Sequence, residues 1–332
     1  MKKTLVTGAT GFIGYHLVTL LASKGYNLRL LVRDVPRAKK LFSDLSCEIV
    51  QGDIISKMDV DYAVQGCEIV YHCAGLPSFN PNNRRRIFET NIEGTRNICE
   101  ASLNYGVEKL IYTSSAATIG KNYKGLSDEN TPFNLWKISG PYKQSKVYAE
   151  KIVMAYFSRG LPVVIVNPTL PIGSHDRRPA PAGNMILNYL RQKTIYYING
   201  GLNFIDVKDV AMGHYLAEKK GVLGERYILG SVNLSIEGFY QLLDKVCGNA
   251  KRKIEIPYWV SLIVGGAFSI FSKWRDGEPF PSFEGVRLAN ESMFYNVEKA
   301  NRVLGLSCKP IENACIEAIN YFRANFPKGV SV

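Results

Sequence analysis

Two residues four apart in the stretch GPYKQSKVYAE (140–150) have types that could do acid–base chemistry. Tyr142 and Lys146 share one face of any helix that contains them, because i,i+4 side chains are neighbours. A free phenol titrates near ~10, too high to act as a base at neutral pH. An ammonium about 4 Å away, at an effective dielectric of ~20, contributes ~4 kcal/mol, or about three pKa units. The expectation is that Lys146 draws Tyr142 into the range of a general acid/base. Ordinary neighbours on a helix surface are the competing reading. Upstream, YTSSAATIG (112–120) runs off the end of an expected strand and carries Ser114 and Ser115 with it. A hydroxyl at that rim can bind a carbonyl oxygen as it becomes alkoxide, or simply cap a backbone group in a turn.

Near the start of the chain, Gly8, Gly11 and Gly14 are spaced G-x-x-G-x-x-G. Between a strand and a helix, such glycines serve a tight turn, backbone approach to a pyrophosphate, and close helix-to-strand packing. The helix N-terminus adds free N–H groups and partial positive charge. A dinucleotide site is expected. The residue ending the second strand separates the two cofactors, since an acid holds a ribose hydroxyl and an arginine accepts a 2′-phosphate. Arg33 follows Val32, with Asp34 next and Arg37, Lys39 and Lys40 close behind. Arg33 can bind a phosphate bidentately, so NADP is preferred over NAD. In the alternative, Arg33 is a solvated strand end and Asp34 holds the ribose. Asp53 in QGDI stands either on the adenine rim or as the cap of the next helix. Ala74 and Gly75 are small where backbone must pass a ligand closely, or form an ordinary turn.

These positions presuppose elements that hold them. β-Branched runs at 4–8, 28–33, 47–53, 68–75, 109–115 and 162–168 alternate with helical patterns near 12–24, 84–104 and 141–159. Continuous apolar strands separated by helices predict a parallel sheet buried on both faces. The fold class is therefore α/β, a Rossmann-type doubly wound sheet. After Pro168 the texture changes, and the proline-rich residues 173–184 are not expected to form regular helix. FIDVKDVAMGHYLAEKK (204–220) returns to strand-then-helix. The expected division is 1–172 plus 204–230 for the dinucleotide-binding domain, and 173–203 plus 231–332 for a smaller, mostly helical substrate lobe. IPYWVSLIVGGAFSIFS (256–272) is uncharged and 17 residues long. It is short for a membrane span, and Gly265-Gly266 weakens it as a helix. A buried or substrate-lining helix is expected there, with contact to a membrane surface as the second reading.

Bulk composition narrows the class further. The 332 residues are 46% hydrophobic and 21% charged, as in soluble globular proteins. The net charge of +12 is read as solubilising, because no nucleic-acid motif accompanies the run Arg84-Arg85-Arg86. Four histidines without ligand spacing and seven cysteines without C-x-x-C predict no metal site and reduced thiols. No signal-type segment opens the chain, so a cytoplasmic protein is expected.

Together, TGATGFIG, GDI, HCAG, NIEGT, YTSSAATIG and YKQSK resemble the extended short-chain dehydrogenase/reductases. The resemblance implies a triad of Ser115, Tyr142 and Lys146, with Tyr142 as proton shuttle and Lys146 also holding the nicotinamide ribose. It implies that Asn91, in TNIEGT, supports the active site. It also places Thr10, Phe12, Ile13, Ile54, Thr113, Asn167 and Pro168 around the dinucleotide. VVIVNPTLPIG (163–173), GLNFIDVKDVA (201–211), GERYILG (224–230) and EGVRLANESMFY (284–295) are similar to the hopanoid-associated sugar epimerases, kin of the dihydroflavonol-4-reductases. Asp206 departs from that pattern, where many relatives carry histidine. The implied activity is NAD(P)-dependent hydride transfer between nicotinamide and a secondary alcohol or ketone of a small molecule; the uncharged stretch 256–272 and the positive charge leave a lipid-like substrate open. A nucleotide-sugar epimerase or dehydratase with tightly bound cofactor is the alternative, with Arg177, Arg178, Arg226 and Arg287 available to its diphosphate. Family members also pair through the helices near 84–104 and 141–159, so a homodimer is one implied assembly.

Overall fold

A computed structural model of the chain describes residues 2–78, 80–271, 283–289 and 291–326. Its strands are, in chain order, β1 (Lys3–Thr7), β2 (Asn27–Val32), β3 (Cys47–Gln51), β4 (Ile69–His72), β5 (Lys109–Thr113), β6 (Val163–Pro168), β7 (Leu170–Ile172), β8 (Thr194–Tyr197), β9 (Gly201–Asp206), β10 (Arg226–Leu229), β11 (Val232–Ser235) and β12 (Arg252–Glu255). The helices are α1 (Phe12–Ser23), α2 (Val35–Leu41), α3 (Lys57–Val64), α4 (Arg84–Phe88), α5 (Gly94–Asn104), α6 (Pro141–Phe157), α7 (Pro181–Arg191), α8 (Val207–Lys220), α9 (Ile236–Cys247), α10 (Tyr258–Phe271), α11 (Phe283–Ala289) and α12 (Ile311–Asn325).

Seven strands form one sheet in the order β10-β6-β5-β4-β1-β2-β3, and every neighbouring pair is parallel. Successive residues of each strand point to opposite faces, and here both faces are apolar. Val6, Leu30, Ile111 and Val164 pack with Leu17 and Leu21 of α1 and Val210 and Ala217 of α8. Their neighbours Leu5, Leu31, Leu110 and Val163 pack with Val60 of α3, Ile98 of α5 and Val153 of α6. This is the doubly wound arrangement expected from the strand composition. Strand order reverses between β1 and β4, which opens a crevice at the carboxyl ends of those two strands.

The second half of the chain is mostly helical, as expected, and also carries short strands. Residues of α7, α9 and α12 surround Phe204 in a separate apolar cluster. Alongside them are a three-stranded sheet, β11-β9-β7, and a two-stranded pair, β12-β8. Those strands are three to six residues long, mostly too short for a period of two to show in the sequence. The proline-rich stretch also contains a helix start: α7 begins at Pro181. Proline is tolerated at the first helical position because its missing N–H would have no intrahelical partner there. The helix expected over 84–104 carries one wide turn, Glu89–Glu93, between α4 and α5.

The uncharged stretch forms α10 straight through Gly265-Gly266, and Ser272 at its end lies outside the described residues. Contrary to the expectation of burial, Trp259 and Ile263 are 66% and 65% exposed. Among the described residues, no helix is long and apolar enough to cross a membrane.

The first turn of α1 is a tight point of the fold. A Cβ on Gly14 would stand 2.1 Å from the Gly8 carbonyl oxygen and 3.0 Å from the Ala9 Cα. Both are backbone atoms that cannot rotate away. Gly14→Ala is therefore expected to destabilise the protein by about 2 kcal/mol or more, read as a lowered urea midpoint. A midpoint unchanged from the parent protein would show that this packing is not limiting.

Candidate active site

The crevice at the switch point is lined first by the glycine loop. Gly8 has φ +70°, and a Cβ there would lie 2.6 Å from the Ala74 nitrogen. The loops after β1 and β4 can touch only because Gly8 lacks a side chain. Gly11 is the N-cap of α1 and offers no capping side chain. The first N–H groups of the helix, on Phe12, Ile13 and Gly14, thus lack intrahelical acceptors. A Cβ on exposed Gly11 would meet only the Gly8 carbonyl, at 3.1 Å, so the space over the helix end is open. Thr10, Phe12 and Ile13 are half-buried around it. This cradle fits a pyrophosphate.

Beside the loop stands α6. Its N-cap, Gly140, has no capping side chain of its own. The carboxylate of Glu284, from α11, accepts the Gly140 N–H instead. Tyr142 is half-buried, and the Ser115 hydroxyl hydrogen-bonds its phenol. Ser115 Oγ also accepts the Ala117 N–H at 3.1 Å, leaving its proton to point toward the phenol. Ser114 donates to the Glu150 carboxylate. The structure thus selects Ser115, of the two serines, as the partner of Tyr142.

Lys146 is buried, and its ammonium donates to the Thr113 carbonyl at 2.7 Å and the Tyr112 hydroxyl at 3.3 Å. It lies 4.8 Å from the centre of the Tyr112 ring. Burial lowers its pKa to about 8, opposed first by the Glu150 carboxylate and then by Cys73. The expectation of a depressed phenol pKa is corrected here. Burial raises the Tyr142 pKa, the Ser115 hydrogen bond lowers it, and the Glu284 carboxylate raises it further. The reason is desolvation, which opposes a charged phenolate and a charged ammonium alike. With its ammonium hydrogen-bonded at the end of β5, Lys146 does not outweigh that penalty.

Asn91 stands in the wide turn between α4 and α5 and is buried. Its Oδ1 accepts the Leu76 N–H at 2.7 Å, and its Nδ2 donates to Ser145 Oγ at 2.9 Å. Ser145 in turn donates to the Tyr142 carbonyl at 2.7 Å. One amide therefore ties the loop after β4 to the turn of α6 that carries Tyr142.

Sequence reasoning missed Glu150. It lies one turn past Lys146, is 7% exposed, and forms the hub of a polar network. Its Oε2 accepts from Ser114, from Thr118 Oγ1 at 3.0 Å and from Asn167 Nδ2 at 3.0 Å. Its Oε1 pairs with Arg226 at 2.8 Å. Thr118 and Asn167 both donate to the Ser115 carbonyl, at 2.9 and 3.1 Å. The only available sequence signal was the i,i+4 spacing from Lys146, which the Tyr–Lys pair had overshadowed. Glu284 was missed because it is remote in sequence from α6.

Other expected site residues divide. Asp34 caps α2 by accepting the Arg37 N–H at 2.9 Å, which commits one of its oxygens. Arg33 is largely exposed and lies 3.8 Å from Asp53. Asp53 is not a helix cap, since Ser56 caps α3; it accepts the Ile55 N–H at 3.2 Å on the rim. The Ile54 side chain is buried against Gly94, and its carbonyl accepts from Asn97 Nδ2 at 2.9 Å. Ala74 meets Gly8, and a Cβ on Gly75 would stand 3.3 Å from Asn91 Oδ1. Thr113 gives its carbonyl to Lys146 while its hydroxyl pairs with His214 at 2.8 Å. Asn167 is fully buried, with its amide N–H groups in the Glu150 hub and its Oδ1 without a hydrogen-bond partner among the described residues. One expectation needs correction. Arg226 is held by Glu150 rather than available to a diphosphate. Asp206 caps α8 by accepting the Lys208 N–H at 2.8 Å, which is a structural use of the position. Pro168 ends β6 and is buried.

Comparison with known proteins agrees with this architecture. Residues 4–230 match the NAD dependent epimerase/dehydratase family. The chain is 37% identical over 323 residues to a Synechocystis protein named "Putative dihydroflavonol 4-reductase", covering 96% of this chain and 94% of that one. It is 29% identical to sterol demethylase protein B of Methylococcus capsulatus, covering 96% and 98% of the two chains. The crystal structure of gox2253 superposes with a TM-score of 0.85 at 34% identity, covering 98% of this chain and 99% of that one. The UDP-glucose 4-epimerase of Thermotoga maritima shares the fold, with a TM-score of 0.76 at 21% identity over 97% and 99% of the two chains. The chain belongs to the NAD dependent epimerase/dehydratase family, the extended short-chain dehydrogenase/reductases. It is an NAD(P)-dependent oxidoreductase of that family.

The Glu150 hub makes a specific prediction. Its carboxylate is the foremost influence that keeps Lys146 charged against burial. Glu150→Gln removes that charge, so the Lys146 pKa falls further below 10.5 and the ammonium is lost at lower pH. The alkaline limb of the kcat/KM profile is expected to move acidward by roughly one unit. An unmoved limb with a merely lowered plateau would reduce Glu150 to scaffolding.

Proposed function

We propose that this protein is an NADP-preferring reductase that converts a ketone on a bulky, lipid-like molecule to a secondary alcohol. The observation that carries this reading is the Tyr142 phenol, hydrogen-bonded to Ser115 at the carboxyl end of the sheet and one helical turn from the buried Lys146 ammonium. A protonated phenol is the form that donates. When bound, the reduced nicotinamide supplies the hydride. Tyr142 gives its proton to the oxygen as the carbonyl becomes alkoxide, and Ser115 donates a hydrogen bond to that same oxygen. The buried ammonium of Lys146, one turn away, steadies the phenolate left behind. Asn91 acts as a positioning residue through Ser145 and the Tyr142 carbonyl. Gly8, Gly11 and Gly14 form the pyrophosphate cradle. The division into a dinucleotide-binding domain and a substrate lobe belongs to the same reading, with one boundary moved: Phe204 clusters with α7, α9 and α12, which supports placing β9 in the substrate lobe and the return to the first domain at α8.

The preference for NADP is supported by the second strand. Asp34 is engaged as a cap, whereas Arg33 is exposed at the strand end. Arg37 feels Arg177 and Arg178, whose positive charges join burial in lowering its pKa. Guanidiniums gathered in this way suit a phosphate. The substrate class is supported by relatives named for sterol chemistry. These include sterol demethylase protein B and a bovine sterol-4-alpha-carboxylate 3-dehydrogenase, decarboxylating, 28% identical over 324 residues.

Turnover of a sterol-like ketone is expected to consume NADPH one for one, read as a fall in nicotinamide absorbance. Product without net absorbance change would point instead to epimerisation. Tyr142→Phe should lower kcat/KM by about a hundredfold or more while dinucleotide binding persists. Full turnover by that variant would overturn the mechanism. Separately, Arg33→Ala should weaken NADPH binding by about tenfold to a hundredfold and leave NADH binding nearly unchanged. Equal losses for both cofactors would remove Arg33 from the phosphate site.

A further inference from the structure

One face of α10 is turned to solvent and carries no charge. Trp259, Ile263 and Val264 on this face are 66%, 65% and 37% exposed. No charged residue occurs between Tyr258 and Phe271. On the other side, Ser261 and Gly265 are buried, in line with Tyr258 and Phe268 near the helix ends, and the helix packs against α11. Exposed apolar residues at this spacing form a stripe, and contiguous stripes of this kind mark interaction surfaces.

The ribbon that leads into α10 supplies charge. β8 and β12 pair from Thr194 with Arg252 to Tyr197 with Glu255. Residues 191–197 and 251–257 contain Arg191, Lys193, Lys251, Arg252 and Lys253 against the single acid Glu255. Arg191, Lys193 and Arg252 are exposed, and Tyr196 on the same ribbon is 58% exposed. Lys253 is partly neutralised by Asp244. The whole chain adds a net charge of +12.

We propose that α10 and the β8–β12 ribbon dock this enzyme on the surface of an anionic phospholipid bilayer. The helix lies in the interface with the face that carries Trp259, Ile263 and Val264 among the acyl chains, and the ribbon cations meet the headgroups. At 14 residues the helix rests on the bilayer and does not span it. A second copy of this chain is the weaker occupant, since a two-fold contact sets each patch against itself and would face the ribbon cations with their own kind. The surface also adjoins the site. α11, packed on α10, carries the Glu284 that accepts the Gly140 N–H at the head of α6.

Flotation of the full chain with vesicles tests this. The protein should float with vesicles of phosphatidylglycerol mixed with phosphatidylcholine, and far less with phosphatidylcholine alone. Trp259→Ser combined with Ile263→Ser should lower the partition coefficient at least about tenfold. Lys193→Gln combined with Arg252→Gln should lower it about tenfold through charge alone. Failure of the parent protein to float on anionic vesicles would overturn the proposal, as would undiminished flotation of the Trp259/Ile263 variant. A dimer in sedimentation equilibrium that this variant dissociates, without vesicle binding by either form, would assign the face to a second copy. The docking surface does not depend on the reductase reading. Flotation needs no turnover, and turnover of a water-soluble ketone without vesicles should be unchanged in both variants.

Discussion

Burying an ammonium costs several kcal/mol unless it is paired or hydrogen-bonded, and Lys146 is only 6% exposed. Its compensation comes from fixed points: the Thr113 carbonyl at the end of β5, the Tyr112 hydroxyl and ring, and the field of Glu150. They come from two elements, β5 and α6. Strand β5 must end where the carbonyl is needed, α6 must lie on the sheet in one register, and Glu150 must be held by Arg226 from β10. Once the cation is placed, Tyr142 one turn earlier has little freedom. Its hydroxyl stands at Ser115, the second residue past β5. The spacing of four therefore acts as a register lock between helix and sheet before it acts in chemistry.

The same burial sets the protonation states. It raises the phenol and lowers the ammonium to about 8, so near neutral pH the phenol holds its proton while the lysine is still mostly charged. This is a resting state poised to donate a proton. Running the reaction backward requires the phenolate, and the positive charge of an oxidised nicotinamide is the natural source of the missing stabilisation. A two-body estimate between phenol and ammonium left out the desolvation of both partners. It therefore gave the wrong direction for the phenol in this arrangement.

Much of this was legible from the sequence, for identifiable reasons. The long apolar strands and the glycine loop are local signals that depend on neighbours within about ten residues, and they predicted a doubly wound parallel sheet with six of its seven strands; the run at 204, expected to rejoin it, pairs in the β11-β9-β7 sheet instead. Tyr142 and Lys146 were legible because a helix makes their relation local. Ser115 could be narrowed from the Ser114–Ser115 pair only by resemblance, because strand-end geometry decides which hydroxyl faces α6. Glu150 and Arg226 were not legible as a pair, since residues 76 apart meet only through the pairing of β6 with β10. The short strands β8 and β12 gave no periodic signal. The exposure of α10 was hidden for a different reason: an uncharged helix reads alike whether its apolar face meets a core or the solvent.

Glu284 connects these levels. It arrives from α11, caps α6 where Gly140 cannot, and raises the Tyr142 pKa. A Cβ on Gly140 would stand 1.8 Å from a Glu284 carboxylate oxygen, so glycine at that position is what lets the carboxylate approach. The same carboxylate supports the charge of Lys143, which burial lowers to about 8. The proton affinity of Tyr142 therefore depends on where α11 sits, and α11 packs on α10. The outer face of α10 and the Tyr142 phenol are thus separated by one packed helix and one carboxylate.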